Sequence, residues 1–332
     1  MISRRALGRI LFAGLGLAIA RRKASSAAIE TGTAVDRLLA NAGLPLPDPS
    51  SRSYRADVVV TVLGIPIFAR KGVGSACAAI RETIAGDRRL VALRFAGGSN
   101  SQRTRGLKYD GSIEEAVFEN ASIIRQAAYF GFLTSSRNES YDQARERIFA
   151  QQKPAESFVA AEGLHLAGCA RFERSLISLP DESSRESSDL NRDIRARFCN
   201  AAHTAAEIRT PAPGAAATFL YSVLEAMRSG SAKSSLDYVH NAKSYRLEWE
   251  RARESRRGAA SAANRQTALA DPATRFSGRI HDLSTRQISN FHLWLDDESG
   301  LPHRIEFQPR SYLRITLEHD PALGNDHRKE ET

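Results

Sequence analysis

The sequence predicts an α+β protein built on an antiparallel β-sheet. Three observations carry this reading. Tyr54, Ala56, Val58, Val60 and Val62 alternate with Arg55, Asp57, Val59 and Thr61, a period of two in a β-branched run, which marks a strand with one buried face. The C-terminal third reads as a meander with strands at Phe276–Ile280, Asn290–Asp296, Leu301–Gln308 and Tyr312–Glu318. Short helix signals, each with its own start or stop, interrupt these strands.

Taken from the start, residues 1–28 read as a signal peptide. Arg4, Arg5 and Arg9 precede an apolar run from Ile10 to Ala20, and Ser25-x-Ala27 or Ser26-x-Ala28 offers a cleavage site. That run is shorter than the about twenty residues a bilayer span needs. Ser3-Arg4-Arg5-x-Leu7 resembles a twin-arginine signal, with the general secretory route as the alternative. The expected location is therefore periplasmic or secreted, with a chain that is soluble once the signal is removed.

Residues 29–50 form an N-terminal helix and a Pro-rich linker. The helix is expected over Thr33–Ala42 and stops at Gly43-Leu-Pro-Leu-Pro-Asp-Pro49. Residues 51–320 read as a single domain with a helical and loop insert at about 135–230, followed by a charged tail over 321–332. After the first strand, Gly72 and Gly74 suggest a bulge or bend. Arg89–Ala96 reads as a strand ending in a Gly97-Gly98-Ser99-Asn100 turn, and Ile113–Phe118 fits either strand or helix. Ser136 and Glu139 have capping-box spacing before a helix through Tyr141, Ala144, Arg145, Ile148 and Phe149. Pro180–Ser188 reads as a loop, and Thr210-Pro-Ala-Pro-Gly214 as a break before an apolar helix, Phe219–Met227. Tyr245–Arg251 is a strand, Arg256–Asn264 an exposed connection and Asp296–Gly300 a hairpin turn.

Composition narrows function. The formal charge is +9, but the first 28 residues hold six basic residues and no acid, which leaves +3 for the rest. So small a charge, with no binding motif beside it, argues against a nucleic-acid surface. The three cysteines, Cys77, Cys169 and Cys199, have no CxxC spacing. In an exported protein Cys169 and Cys199 are a candidate disulfide; the alternative is three buried thiols. No GxSxG elbow, P-loop, HExxH or dinucleotide fingerprint occurs, and no histidine pair has metal-ligand spacing. His165 and His203 lie near Cys169 and Cys199 in sequence, a weak metal signal. No catalytic residue, cofactor or metal is expected, and the reading leans away from an enzyme.

The order of motifs resembles an uncharacterised family of exported bacterial envelope proteins. The resemblance rests on Tyr54-x-Ala-Asp57 with Gly64-Ile65-Pro66, then Thr210-Pro-Ala-Pro-Gly214 before Phe219-Leu-Tyr221. It ends on Phe291-His-Leu-Trp-Leu295 and Gly300-Leu-Pro-x-Arg-Ile-Glu306. It spans roughly residues 52–320, best at the C-terminal end, and the stretch 150–205 departs from it. It implies a lipoprotein-carrier-like (LolA-like) half-barrel, a curved antiparallel sheet with helices packed on the concave face. On such a sheet Phe291, Leu293, Leu295, Ile305, Phe307, Leu313, Ile315 and Leu317 share one apolar face, which either lines a ligand site or forms a dry core. His292 and Trp294 fall on the opposite face. Arg304, Arg310 and Arg314 are either a basic rim or the outer face of the sheet.

Three functions follow as expectations. The first is a non-enzymatic binder of a hydrophobic ligand such as a lipid or a lipoprotein acyl chain. The alternatives are a periplasmic scaffold that holds an envelope protein partner, and an enzyme with a dispersed site.

Overall fold

The alternation of Tyr54–Val62 builds the middle of one fourteen-stranded antiparallel sheet. The computed structural model describes residues 32–62, 65–100, 102–104, 110–134, 146, 159–166, 169–177, 187–200, 204–209, 218–253, 274–295 and 300–325. The strands are β1 (Ser50–Val62), β2 (Ile65–Ala85), β3 (Arg88–Ser99), β4 (Asp110–Asn120), β5 (Ile123–Leu133), β6 (Val159–Leu166) and β7 (Cys169–Leu176). The rest are β8 (Thr204–Arg209), β9 (Lys233–His240), β10 (Lys243–Arg253), β11 (Thr274–Asp282), β12 (Ile288–Leu295), β13 (Pro302–Arg310) and β14 (Leu313–His319). Helices are α1 (Ala34–Ala42), α2 (Ser187–Asn200), α3 (Phe219–Arg228) and the short α4 (Pro321–Asn325).

Two meanders run outward from the centre, β1 to β8 on one side and β14 to β9 on the other. They join where β1 pairs with β14, Val58 opposite Ile315 and Val60 opposite Leu313. Strands β8 and β9 are the two edges, so the sheet is open. Two hairpins close with both loop residues at positive φ: Ala121 (52°) and Ser122 (59°), and Asn241 (49°) and Ala242 (59°). That conformation matches the right-handed twist of the flanking strands. Opposite β1, a bulge forms where Ala56 pairs with Gly74 but Val58 pairs with Arg70. Gly72 sits in it at φ 61° and donates its N–H to Asp57 Oδ1 at 2.7 Å.

A single helix forces the sheet to curl. α3 is ten residues, about 15 Å long. It packs against β3 and β4 in one arm and β9 and β10 in the other. Strands β4 and β10 are eight places apart in the sheet, roughly 38 Å if it were flat. One short helix reaches both only if the sheet wraps around it. The face that α3 touches is therefore the inner face of an open, half-barrel-like sheet.

The other two long helices lie on the outer face, unlike the expectation that the helices share the concave side. α1 and α2 cover Leu90, Ala116, Ala128, Phe130, Phe132 and Ala160 with Val35, Leu38, Ile194 and Phe198. α1 starts in a capping box, Thr33 N–H donating to Asp36 Oδ2 at 3.0 Å and Asp36 N–H to Thr33 Oγ1 at 3.3 Å. Its next free donor, Ala34 N–H, reaches Glu162 of β6 at 2.8 Å. Arg195 of α2 ties the two helices to the sheet, pairing with Asp36 at 2.5 Å and with Glu114 of β4.

Several expectations change in detail. Gly97–Ser99 continues β3 instead of turning, because Gly97 pairs across to both Ala76 and Gly111. Ile113–Phe118 is strand. The stretch read as a helical and loop insert contributes β6, β7 and β8, and so widens the sheet. Of these, β6 escapes the alternation test because both its faces are covered, Ala160 on the outer side and Ala161 on the inner. α2 begins inside the stretch read as a loop. The signal segment, the helix start at Ser136, most of Pro180–Ser188, Thr210–Gly214, Arg256–Asn264 and the turn residues 296–299 lie outside the described residues.

Candidate functional site

The inner face is built by register. Phe276 stands opposite Leu293, Phe291 opposite Phe307, Leu293 opposite Ile305, and Phe307 opposite Ile315. The same face continues through β10 as Tyr245, Leu247 and Trp249 and through β9 as Leu236 and Tyr238. All eight residues expected to share an apolar face do share it. Phe291, Leu293, Leu313 and Ile315 are buried. Leu295, Ile305, Phe307 and Leu317 are only partly buried, although they point inward. α3 covers the β9–β10 side through Phe219, Val223, Ala226 and Met227. On the opposite side Tyr54, Ala76, Ala78 and Leu301 pack beside Ile305 and Leu317. Tyr54 donates its hydroxyl to the Pro302 carbonyl at 2.7 Å, which fixes the start of β13 over β1.

Polar groups hold α3 in place. Glu115 of β4 faces inward at the start of the helix, where backbone N–H groups have no partner within it. Its Oε2 accepts from Tyr221 N–H at 2.9 Å. Burial pushes its carboxyl up to about 7, even though the Thr218 hydroxyl and the first N–H groups of α3 favour the charged form. At the other end of the helix Arg89 binds three carboxylates, Glu82 at 2.7 Å, Glu119 at 3.1 Å and Glu225 at 2.8 Å. Arg228 chelates Glu82 with both terminal nitrogens. Tyr221 donates its hydroxyl to Glu119. Burial and this carboxylate together raise the phenol far above its ordinary range.

The two sheet edges approach one another through side chains. Val239 of β9 packs with Phe172 of β7 and Ile208 of β8. Arg174 of β7 donates to Asn241 in the β9–β10 turn, Nε to Oδ1 at 3.1 Å and Nη2 to the carbonyl at 2.9 Å. His240 lies between the rings of Tyr129 at 5.2 Å and Phe219 at 6.0 Å. Its Nδ1 meets no hydrogen-bond partner among the described residues. Burial, with the charge of Arg174, lowers the imidazole to about 4, so it is neutral at physiological pH. Replacing Arg174 with Met leaves the Asn241 acceptors unpaired. It should destabilise the protein by about 2 kcal/mol and speed amide exchange in β8 and β9 above that in β1, as read by hydrogen-exchange mass spectrometry.

The remaining sequence candidates do not converge. His292 and Trp294 lie on the outer face with rings 6.1 Å apart, and Arg275 and Arg304 stack over Trp294 at 5.5 and 4.9 Å. Arg304 also pairs with Glu306 and Glu318, so it belongs to an outer-face network. Cys169 and Cys199 are not joined by a disulfide in this structure; the Cys169 thiol donates to Glu207 Oε1 at 2.9 Å. No group of three metal-ligating side chains occurs among the described residues. Glu115, His240, Arg89 and Arg174 went unread in the sequence. Glu115, Arg89 and Arg174 each stand beside another charged residue, Glu114, Arg88 and Glu173, and only an inward phase on a strand sets them apart.

No protein-family model matches the chain, and no curated protein matches it. Among solved structures it is similar to a beta-barrel-like protein of a domain of unknown function, DUF1849, from Brucella abortus. The identity is 8%, the TM-score 0.43, and the match covers 81% of this chain and 95% of that one.

Proposed function

We propose that this is an exported, non-enzymatic protein that binds a hydrophobic ligand, a lipid or lipoprotein acyl chain, against the inner face of its sheet. One observation carries the reading. Leu295, Ile305, Phe307 and Leu317 point inward yet stay partly exposed, whereas the inner face of β9–β11 beneath α3 holds the buried rings of Tyr238, Tyr245, Trp249 and Phe276. Apolar surface that faces inward and still meets water is what an acyl chain covers favourably, at about 25 cal/mol per Å² removed from water. The signal-like residues 1–28 support export, by a twin-arginine or general secretory route.

The titration that tests this uses a fluorescent fatty acid. The unsubstituted chain should bind it saturably. Phe307→Asp should weaken binding at least about tenfold, since a buried unpaired charge costs several kcal/mol, while the outer-face change Arg314→Gln should leave it unaltered. Equal binding by both variants would refute the inner-face site.

A further inference from the structure

Nine large apolar side chains are exposed among the described residues, and six of them share one end of the sheet. Ile65, Ile67 and Phe68 lie on the β1–β2 hairpin at 66%, 57% and 46% exposure. Tyr312 is in the β13–β14 turn, and Leu283 and Ile288 flank the β11–β12 turn. The meander places these three turns at the same end, and Thr61 N–H donates to the Tyr312 carbonyl at 2.8 Å, which ties the first to the second. Exposed cations stand among them: Lys71, Arg103, Arg286 and Arg310. Among the described residues, the carboxylates of Asp57 and Asp282 at this end are engaged. Asp57 accepts from Gly72 N–H and lies 3.5 Å from Arg55. Asp282 accepts from Ser284 and Thr285 and pairs with Lys243 at 3.3 Å.

We propose that this end docks on an anionic lipid membrane surface, its apolar turns entering the headgroup boundary and its cations meeting lipid phosphates. Charge complementarity selects this occupant. Scattered apolar tips within a basic collar match an interface that is apolar below and negative above. A partner β-strand would have to use the β2 edge over 65–72, which β3 leaves unpaired because their ladder begins at Gly74 and Val73 accepts from Asn100 N–H. Pro66 lacks a donor and the bulge at Gly72 breaks that edge. A strand there would also leave Leu283, Ile288 and Tyr312 uncovered. Docking at this end goes beyond the ligand reading and does not depend on it.

The test places a tryptophan at the tip. Phe68→Trp and, at the opposite end, Ile123→Trp are made in the full chain and read against the unsubstituted protein. Each is mixed with vesicles of phosphatidylglycerol and phosphatidylcholine whose acyl chains carry bromine quenchers. Quenching is expected for Phe68→Trp and absent for Ile123→Trp. Lys71→Gln with Arg310→Gln should lower partitioning about 25-fold, roughly fivefold per cation, with little binding to phosphatidylcholine alone. Phe307→Asp should leave the quenching intact, which separates this proposal from the inner-face site. Equal quenching at both ends, no quenching, or indifference to the two cations overturns it. So does a Phe68→Trp signal that is already shielded without vesicles by self-association, which would assign the β2 edge to a strand partner.

Discussion

Replacing Glu115 with Gln should stabilise the protein progressively as pH rises, with a gain over the unsubstituted chain that grows by about 3 kcal/mol between pH 4.5 and 7. The sign follows from burial. The carboxyl has a folded pKa near 7 against an ordinary 4.5. Between those values the unfolded chain has released a proton that the folded protein retains, so rising pH draws the equilibrium toward unfolding. Below 4.5 both states are protonated and the term vanishes. His240 does the reverse. Its folded pKa, near 4, lies below the ordinary 6.5, so the unfolded chain takes up a proton first as pH falls. His240→Phe should therefore gain about 3 kcal/mol over the unsubstituted chain between pH 6.5 and 4 and show a constant difference above 7. The two terms nearly cancel in the natural sequence, so each single variant exposes a slope that the pair conceals. Denaturant midpoints across pH 4 to 8 read both effects. A difference that does not change with pH would mean that these groups are solvated.

The second large effect belongs to Gly163. It sits on the inner face of β6, opposite Tyr129 and Phe172. A Cβ there would come to 2.5 Å from Tyr129 Cε1 and 2.6 Å from Phe172 Cδ1. Both rings are almost wholly buried and lie 5.7 Å apart, so neither can swing into water. Gly163→Val should cost about 3 kcal/mol. The damage should spread to the approach of the two edges, because Tyr129 and Phe172 pack with Val239 there. Gly230 is the control: nothing lies within 4 Å of its added Cβ, and Gly230→Val should change stability by less than about 0.5 kcal/mol. Thermal melts of the two variants decide it.

How much of this was legible in the sequence depends on how each face is covered. β1, β10 and the C-terminal meander announce themselves by alternation, because an apolar inner face is set against polar neighbours such as Arg314 and Glu318. The same alternation put Phe291 through Leu317 on one face correctly. β6 does not alternate. α1 and α2 cover one side of it and the approach of the edges covers the other, so Ala160 and Ala161 stand where a contrast would be needed. The two-residue turns at Ala121-Ser122 and Asn241-Ala242 lack the glycine that signals such hairpins; Arg174 clasps the second of them. α2 is polar and holds its place through Ile194, Phe198 and the Arg195 ion pairs, none of which is local in sequence. Glu115 is hidden for a related reason. Its meaning comes from the start of α3, about a hundred residues later in the chain.

The curl of the sheet was expected from the resemblance and not from any local pattern, since it follows from one helix meeting two distant arms. The wrapping also gives the ligand reading its geometry. α3 covers β9 and β10, and the inner face of β12 to β14 keeps apolar side chains in contact with water.

The most direct test is a lipid analysis of the protein isolated without detergent from the cells that make it, by organic extraction and mass spectrometry. The unsubstituted chain should carry a reproducible lipid at about one per protein, and Phe307→Asp, folded to the same degree by circular dichroism, should lose it. A lipid that stays with Phe307→Asp, or an unsubstituted chain that carries none and fails to bind the fluorescent fatty acid, would contradict the inner-face site.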